Sequence, residues 1–85
     1  MNSPERYVTL KLTSGDHDRF YTISITKEDT TWYTYATWGP IGSDGSTSTI
    51  YKGNSLEHAM QAGARMRNKR QSEGFIITSG GLKRR

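Results

Sequence analysis

Thr31-Trp32-Tyr33-Thr34-Tyr35-Ala36-Thr37-Trp38 runs straight into Gly39-Pro40-Ile41-Gly42, and the join between these stretches decides the fold. β-Branched and aromatic side chains at this density suit a pleated, half-buried surface, so Thr31 to Trp38 reads as a strand. Alternation places Trp32, Thr34, Ala36 and Trp38 on one face and Tyr33, Tyr35 and Thr37 on the other. Gly39 and Gly42 then supply the backbone freedom of a tight exit, while Pro40 fixes φ and withholds a donor. The indole of Trp38 is thereby fixed at a sheet rim. There it serves as core or as a stacking platform for a base or sugar.

The chain before this strand repeats the same period. Tyr7 to Thr13 alternates with Val8, Leu10 and Leu12 facing a core, and Arg19 to Thr26 does so with Tyr21, Ile23 and Ile25. Turn clusters separate them: Ser14 to Asp18, then Lys27-Glu28-Asp29, whose carboxylates read as a solvated turn. Beyond the glycine-rich exit, Ser46 to Lys52 is β-branched but too polar to be central. Short turns between all four make an antiparallel meander the economical arrangement.

One helix follows. Asn54 or Ser55 can cap it, and Asn54 with Glu57 has capping-box spacing. Leu56, Ala59, Met60, Gly63 and Met66 or Arg67 form a narrow apolar stripe that should lie on the sheet. Gly74 stops the helix, Phe75 to Thr78 reads as a final edge strand, and residues 79–85 read as a flexible basic tail. The expected fold class is α+β, a small antiparallel sheet of four to five strands packed with one helix. Residues 1–6 form an N-terminal extension and 7–78 the domain.

Composition bounds what such a domain does. Eighty-five residues make one small core, burying about 60–65% of the unfolded surface. There is no cysteine, which excludes disulfides and thiolate metal sites. His17 and His58 lack ligand spacing, so neither a metal nor another cofactor is expected. No stretch approaches the roughly 20 apolar residues of a membrane span, and no secretory signal is recognisable, so the expected location is cytoplasmic, without membrane association. Net charge is +4, with 5 basic and 7 acidic residues in 1–57 against 7 basic and 1 acidic in 58–85. That asymmetry points to an anionic partner, nucleic acid first.

From Tyr7 to Thr78 the layout resembles the WGR domain, found in DNA-dependent poly(ADP-ribose) polymerases and in small bacterial or phage proteins. Asp18-Arg19-Phe20-Tyr21 is similar to the family's Asn-Lys-Tyr-Tyr, and Trp38-Gly39-Pro40-Ile41-Gly42 to its Trp-Gly-Arg-Val-Gly. Gly53-Asn54-Ser55-Leu56 with Ala59 opens the helix similarly. The resemblance implies an antiparallel sheet flanked by a helix, and DNA contact near a strand end. It implies that Trp38 packs on a backbone sugar and that Arg19 contacts phosphate. Pro40 stands where the family has the arginine that names it. The family's helix aromatics are also missing, with Gly63 and Arg67 near their positions, so the helix packs differently or presents a groove.

No catalytic constellation is present, and an enzyme is not expected. The leading expectation is a nucleic-acid-binding module contacting DNA backbone or ends, with little sequence specificity, through Arg19, Trp38, Arg65, Lys69 and Arg70. Gly39, Pro40 and Gly42 shape its turn. Arg65 and Lys69, one turn apart, are the favoured helix pair. RNA is an alternative ligand, since tyrosines on a sheet suit single strands. The alternative function is a protein-interaction module, docking on a partner or self-associating through an edge strand.

Overall fold

The structure, a computed structural model, describes residues 6–14 and 17–82. In chain order the elements are β1 (Arg6–Ser14), β2 (His17–Glu28), β3 (Thr31–Pro40), β4 (Ser46–Gly53), α1 (Leu56–Ser72) and β5 (Ile76–Leu82). They form the expected α+β fold: one antiparallel sheet in the order β4-β3-β2-β1-β5, with the helix on one face. The first four strands are a meander. After the helix, β5 returns to the far edge beside β1.

Register explains the core. Ile77, Leu10, Tyr21, Trp38 and Ser46 are successive partners across all five strands, and Val8, Ile23, Ala36 and Ser48 form a second row across four of them. The alternating apolar positions of β1, β2 and β3 therefore fall on one side. Leu10 and Ala36 are fully buried, and Tyr21, Ile23 and Ile25 nearly so. A bulge between β3 and β4 pairs Thr34 with Tyr51 and Tyr35 with Thr49. The extra residue, Ile50, packs on the core while Tyr51 meets the His58 ring edge-on.

The helix face differs from the stripe drawn from spacing. Its buried residues are Ala59, Ala62 and Gly63, whereas Met60 is exposed and Met66 only half-buried. Small residues at the centre let the backbones approach. A Cβ on Gly63 would sit 3.2 Å from Ile23 Cγ2. Thr34, fully buried, donates its hydroxyl to the Ala59 carbonyl at 2.8 Å, so the one polar side chain at the centre of the contact is satisfied.

Both helix ends refine the sequence reading. Ser55 is the N-cap and its Oγ accepts from the His58 N–H at 3.1 Å. The residue three past the cap is thus His58, and the Asn54–Glu57 capping box does not form; Glu57 lies in the first turn, where it suits the helix dipole. At the other end Phe75 is not in the strand. Its N–H is bonded to the Arg70 carbonyl, so pairing with β1 begins one residue later. β5 then runs to Leu82, past Thr78, because β1 extends to Arg6 and offers it partners. Residues 83–85 of the expected tail, and 1–5 of the N-terminal extension, lie outside the described residues. Among the described residues no helix is long and apolar enough to cross a membrane.

Gly63→Leu forces an isobutyl group against Ile23, Ile25 and Thr34 and should destabilise the fold by about 1–3 kcal/mol. Thermal unfolding followed by circular dichroism checks this; an unchanged midpoint would show that the helix stands further from the sheet.

Candidate nucleic-acid interface

Three backbone features converge at one end of the sheet. The first is the β2–β3 pairing of Tyr21 with Trp38, which stacks the two rings at 5.9 Å between centroids and 18° between planes. Tyr21 is buried and Trp38 half-buried. The indole therefore belongs both to the core and to the surface at this rim.

The second is the helix exit. Glu73 is the C-cap, and Gly74 follows at φ 107°, in the left-handed region. The Gly74 N–H bonds to the Gln71 carbonyl at 3.0 Å and the Phe75 N–H to the Arg70 carbonyl at 3.1 Å. This is a Schellman closure, and it brings Arg70 and Phe75 together over Tyr21. Phe75 meets the ring edge-on at 6.2 Å and 77°, while the Arg70 guanidinium lies 4.7 Å from the ring centre.

The third is the turn after Trp38. The Ile41 N–H bonds to the Asp18 carbonyl at 3.0 Å, and the Ser43 N–H and Oγ reach the Pro40 carbonyl at 3.1 and 2.7 Å. Position 39 must be glycine for this turn to close, since a Cβ there would lie 2.9 Å from Gly45 Cα.

Between these features opens a groove of about 590 Å³. Arg19, Trp38 and Gly39 come to it from the strands, and Met66, Arg70 and Glu73 from the helix and its cap, over a floor that includes Tyr21 and Ala36. Among the described residues Glu73 is the one carboxylate lining it, held to Arg70 Nη1 at 2.7 Å. Burial pulls the Arg70 pKa down, but the Glu73 hydrogen bond and the neighbouring Tyr21 outweigh it, so the value is raised and the guanidinium stays charged. Arg70 Nε is buried without a hydrogen-bond partner.

The structure thus gathers Arg19, Trp38 and Arg70, with Gly39 lining the groove and Pro40 in the turn beside it. Gly42, at φ 96°, completes that turn. Arg65 and Lys69 are elsewhere. They line an adjoining hollow of about 220 Å³, which shares Ile50 and Met66 with the groove. Tyr21, Phe75 and Glu73 were not singled out from sequence for this site. The signals were there: Tyr21 shares the parity of Trp38 once the register is fixed, and Gly74-Phe75 after a helix is a Schellman ending.

The helix-free face carries Tyr33 and Tyr35. Tyr33 and Tyr35 stack on each other at 5.6 Å and 3°, with Lys52 Nζ 5.9 Å from the Tyr33 ring centre. Desolvation, with Glu28 and Tyr33 adding to it, raises the Tyr35 pKa. These rings pack along their own strand, and Trp32 is half-buried with the Lys27 ammonium 5.6 Å above it.

Gly39→Ala should displace the 43–45 loop and with it the indole, costing about 1–3 kcal/mol and moving the Trp38 Nε1–H resonance in a two-dimensional NMR spectrum. A resonance that stays in place would separate the turn from the indole's position.

Compared with known proteins, residues 5–79 match the model of the WGR domain. No curated protein and no solved structure matches the chain. A match across nearly the whole chain agrees with a tryptophan-glycine turn at the rim of a five-stranded antiparallel sheet, and the chain belongs to the WGR domain family.

Proposed function

We propose that the chain is a non-catalytic nucleic-acid-binding module that holds a DNA backbone in the Trp38 groove, with little sequence preference. One observation carries the reading: Arg19, Trp38 and Arg70, from a strand start, a strand end and a helix end, line the same groove. The WGR family is in general non-catalytic and is associated with nucleic-acid binding in poly(ADP-ribose) polymerases, which agrees with it.

The chemistry is that of positioning. A sugar packs against the exposed part of the indole, whose inner part is braced by Tyr21. Arg19 and Arg70 pair with the flanking phosphates, and Arg65 and Lys69 in the adjoining hollow extend the positive track. Phosphate contacts fix register without reading bases. Nothing in the groove has the form of a helix laid in a major groove, and Arg70 is the C3 residue of a helix end that packs on the sheet. Glu73 opposes binding. Its carboxylate engages Arg70 and must be displaced or must share the guanidinium with phosphate, a modest cost for a partly exposed pair.

Fluorescence anisotropy against blunt, nicked and single-stranded DNA and against RNA, at two salt concentrations, tests the proposal. Trp38→Ala should weaken binding by about 1–3 kcal/mol, with circular dichroism showing both proteins folded. The log-log salt slope should be about −0.9 per phosphate on duplex DNA and −0.7 on a single strand, and Arg19→Gln and Arg70→Gln should each remove about one contact. No binding to any of these at low salt would sink the reading, and preferential binding to RNA would replace DNA as the ligand.

The Glu73 carboxylate gives an independent check at the same site. Glu73→Gln should tighten binding a few-fold at low salt, whereas Glu57→Gln, an equal change of charge in the first helical turn, should not. Equal effects would reduce Glu73 to its share of net charge.

A further inference from the structure

The helix does not cover the sheet evenly. It lies over β2, β3 and β4 and touches β1 only at its margin, so a second groove of about 240 Å³ opens between α1 and β1. Its floor is apolar, made by Val8, Ile23 and Ile25 beneath Gly63. Tyr7 and Met60, on its two sides, are 38% and 36% exposed. Leu56, Met60 and Ala64 lie one turn apart along α1 and carry the apolar surface into a hollow beyond, where Glu57 and Gln61 are the polar members.

Among the described residues two cations, Arg6 and Arg67, and no carboxylate line this groove. Their contacts are weak ones. Arg6 Nη1 lies 3.1 Å from Met60 Sδ, and Arg67 donates to the Asn68 side-chain oxygen at 3.2 and 3.3 Å. Among the described residues the only ion pair is Arg70–Glu73, and neither of these arginines takes part in it. Exposed apolar surface and guanidinium groups occur here in one place. Each part selects a ligand feature: the floor takes a large apolar side chain, and planar guanidinium groups take carboxylates. A nucleic-acid strand would leave the apolar floor unfilled, and a purely apolar partner would strand both charges.

We propose that this groove docks an acidic-apolar peptide segment of a protein partner, with one large apolar side chain on the Val8–Ile23–Ile25 floor and flanking carboxylates paired with Arg6 and Arg67. The groove shares no lining residue with the Trp38 groove, so the two sites can be occupied together and the chain then tethers an acidic protein segment to nucleic acid. The docking does not depend on the nucleic-acid reading.

A display library of random twelve-residue peptides selected against the folded chain tests it, with calorimetry on the enriched sequences. Enrichment of Leu, Met, Phe or Trp between Asp or Glu residues is expected, with Kd about micromolar to 100 µM for so small a contact. Ala64→Glu, which places a carboxylate in the groove, should weaken binding at least tenfold, while Ala64→Gln of the same bulk should weaken it much less. Reversing the rim with Arg6→Glu and Arg67→Glu should shift the enriched flanks from acidic to basic, a gain that mere misfolding cannot produce. Trp38→Ala should leave peptide binding unchanged. Enrichment of no motif, flanks indifferent to the reversed rim, or peptides displaced by an oligonucleotide of equal charge would each overturn the proposal.

Discussion

Tyr21 is the contact on which the rest of the molecule depends. Its ring is 6% exposed and lies in the row that joins Leu10 to Trp38 across three strands. Trp38, Phe75 and the Arg70 guanidinium all pack on it. The sheet rim, the helix exit and the main groove are therefore set by one side chain. Aromatic pairs of this geometry contribute about 0.5–1.5 kcal/mol each beyond their buried area, a sizeable part of the few kcal/mol available to a chain of this size.

The second constraint is the close approach of α1 to the sheet. Ala59, Ala62 and Gly63 offer little side chain at the contact, and Thr34 uses its hydroxyl on a helix carbonyl in place of packing volume. Close packing with small residues narrows the footprint of the helix. The larger apolar groups that a wider contact would have covered, Met60 on one flank and Met66 on the other, are left lining grooves. One choice of residues at the helix face thus produces both surfaces. It is also the physical counterpart of the missing helix aromatics: bulk at position 63 has no space beside Ile23.

Most of the fold was legible because its strands obey a strict period of two. Val8-Leu10, Tyr21-Ile23-Ile25 and Thr34-Ala36-Trp38 fall on the side their alternation assigns, and the polar Ser46–Gly53 strand lies at an edge. The helix face was less legible, because a stripe is drawn through the largest apolar residues, whereas Ala62, too small to stand out, takes a buried place and Met60 does not. Of the candidate site, Trp38 and Arg19 were visible from a local motif. Arg70 was visible only as one of several cations; its place over Tyr21 depends on a chain reversal at Gly74 and on a strand pairing far away in sequence. Arg65 and Lys69, one turn apart and exposed, are the pair that spacing alone favours, and they line the adjoining hollow that shares Ile50 and Met66 with Trp38's groove.

Pro40 shows how the same geometry handles a departure from the family motif. Position 40 is the cross-strand partner of Arg19, so an arginine there would set two like charges opposite one another, which destabilises a pair unless an anion lies between them. Proline removes that repulsion and, as the last residue of β3, sacrifices no interior ladder bond. Its carbonyl still anchors the turn through Ser43. The second cation of the groove comes instead from the helix, as Arg70, already neutralised in part by Glu73 and seated on an aromatic ring. A guanidinium held this way is compatible with Arg19 in the absence of ligand, whereas two strand arginines would need a bound anion to sit comfortably together.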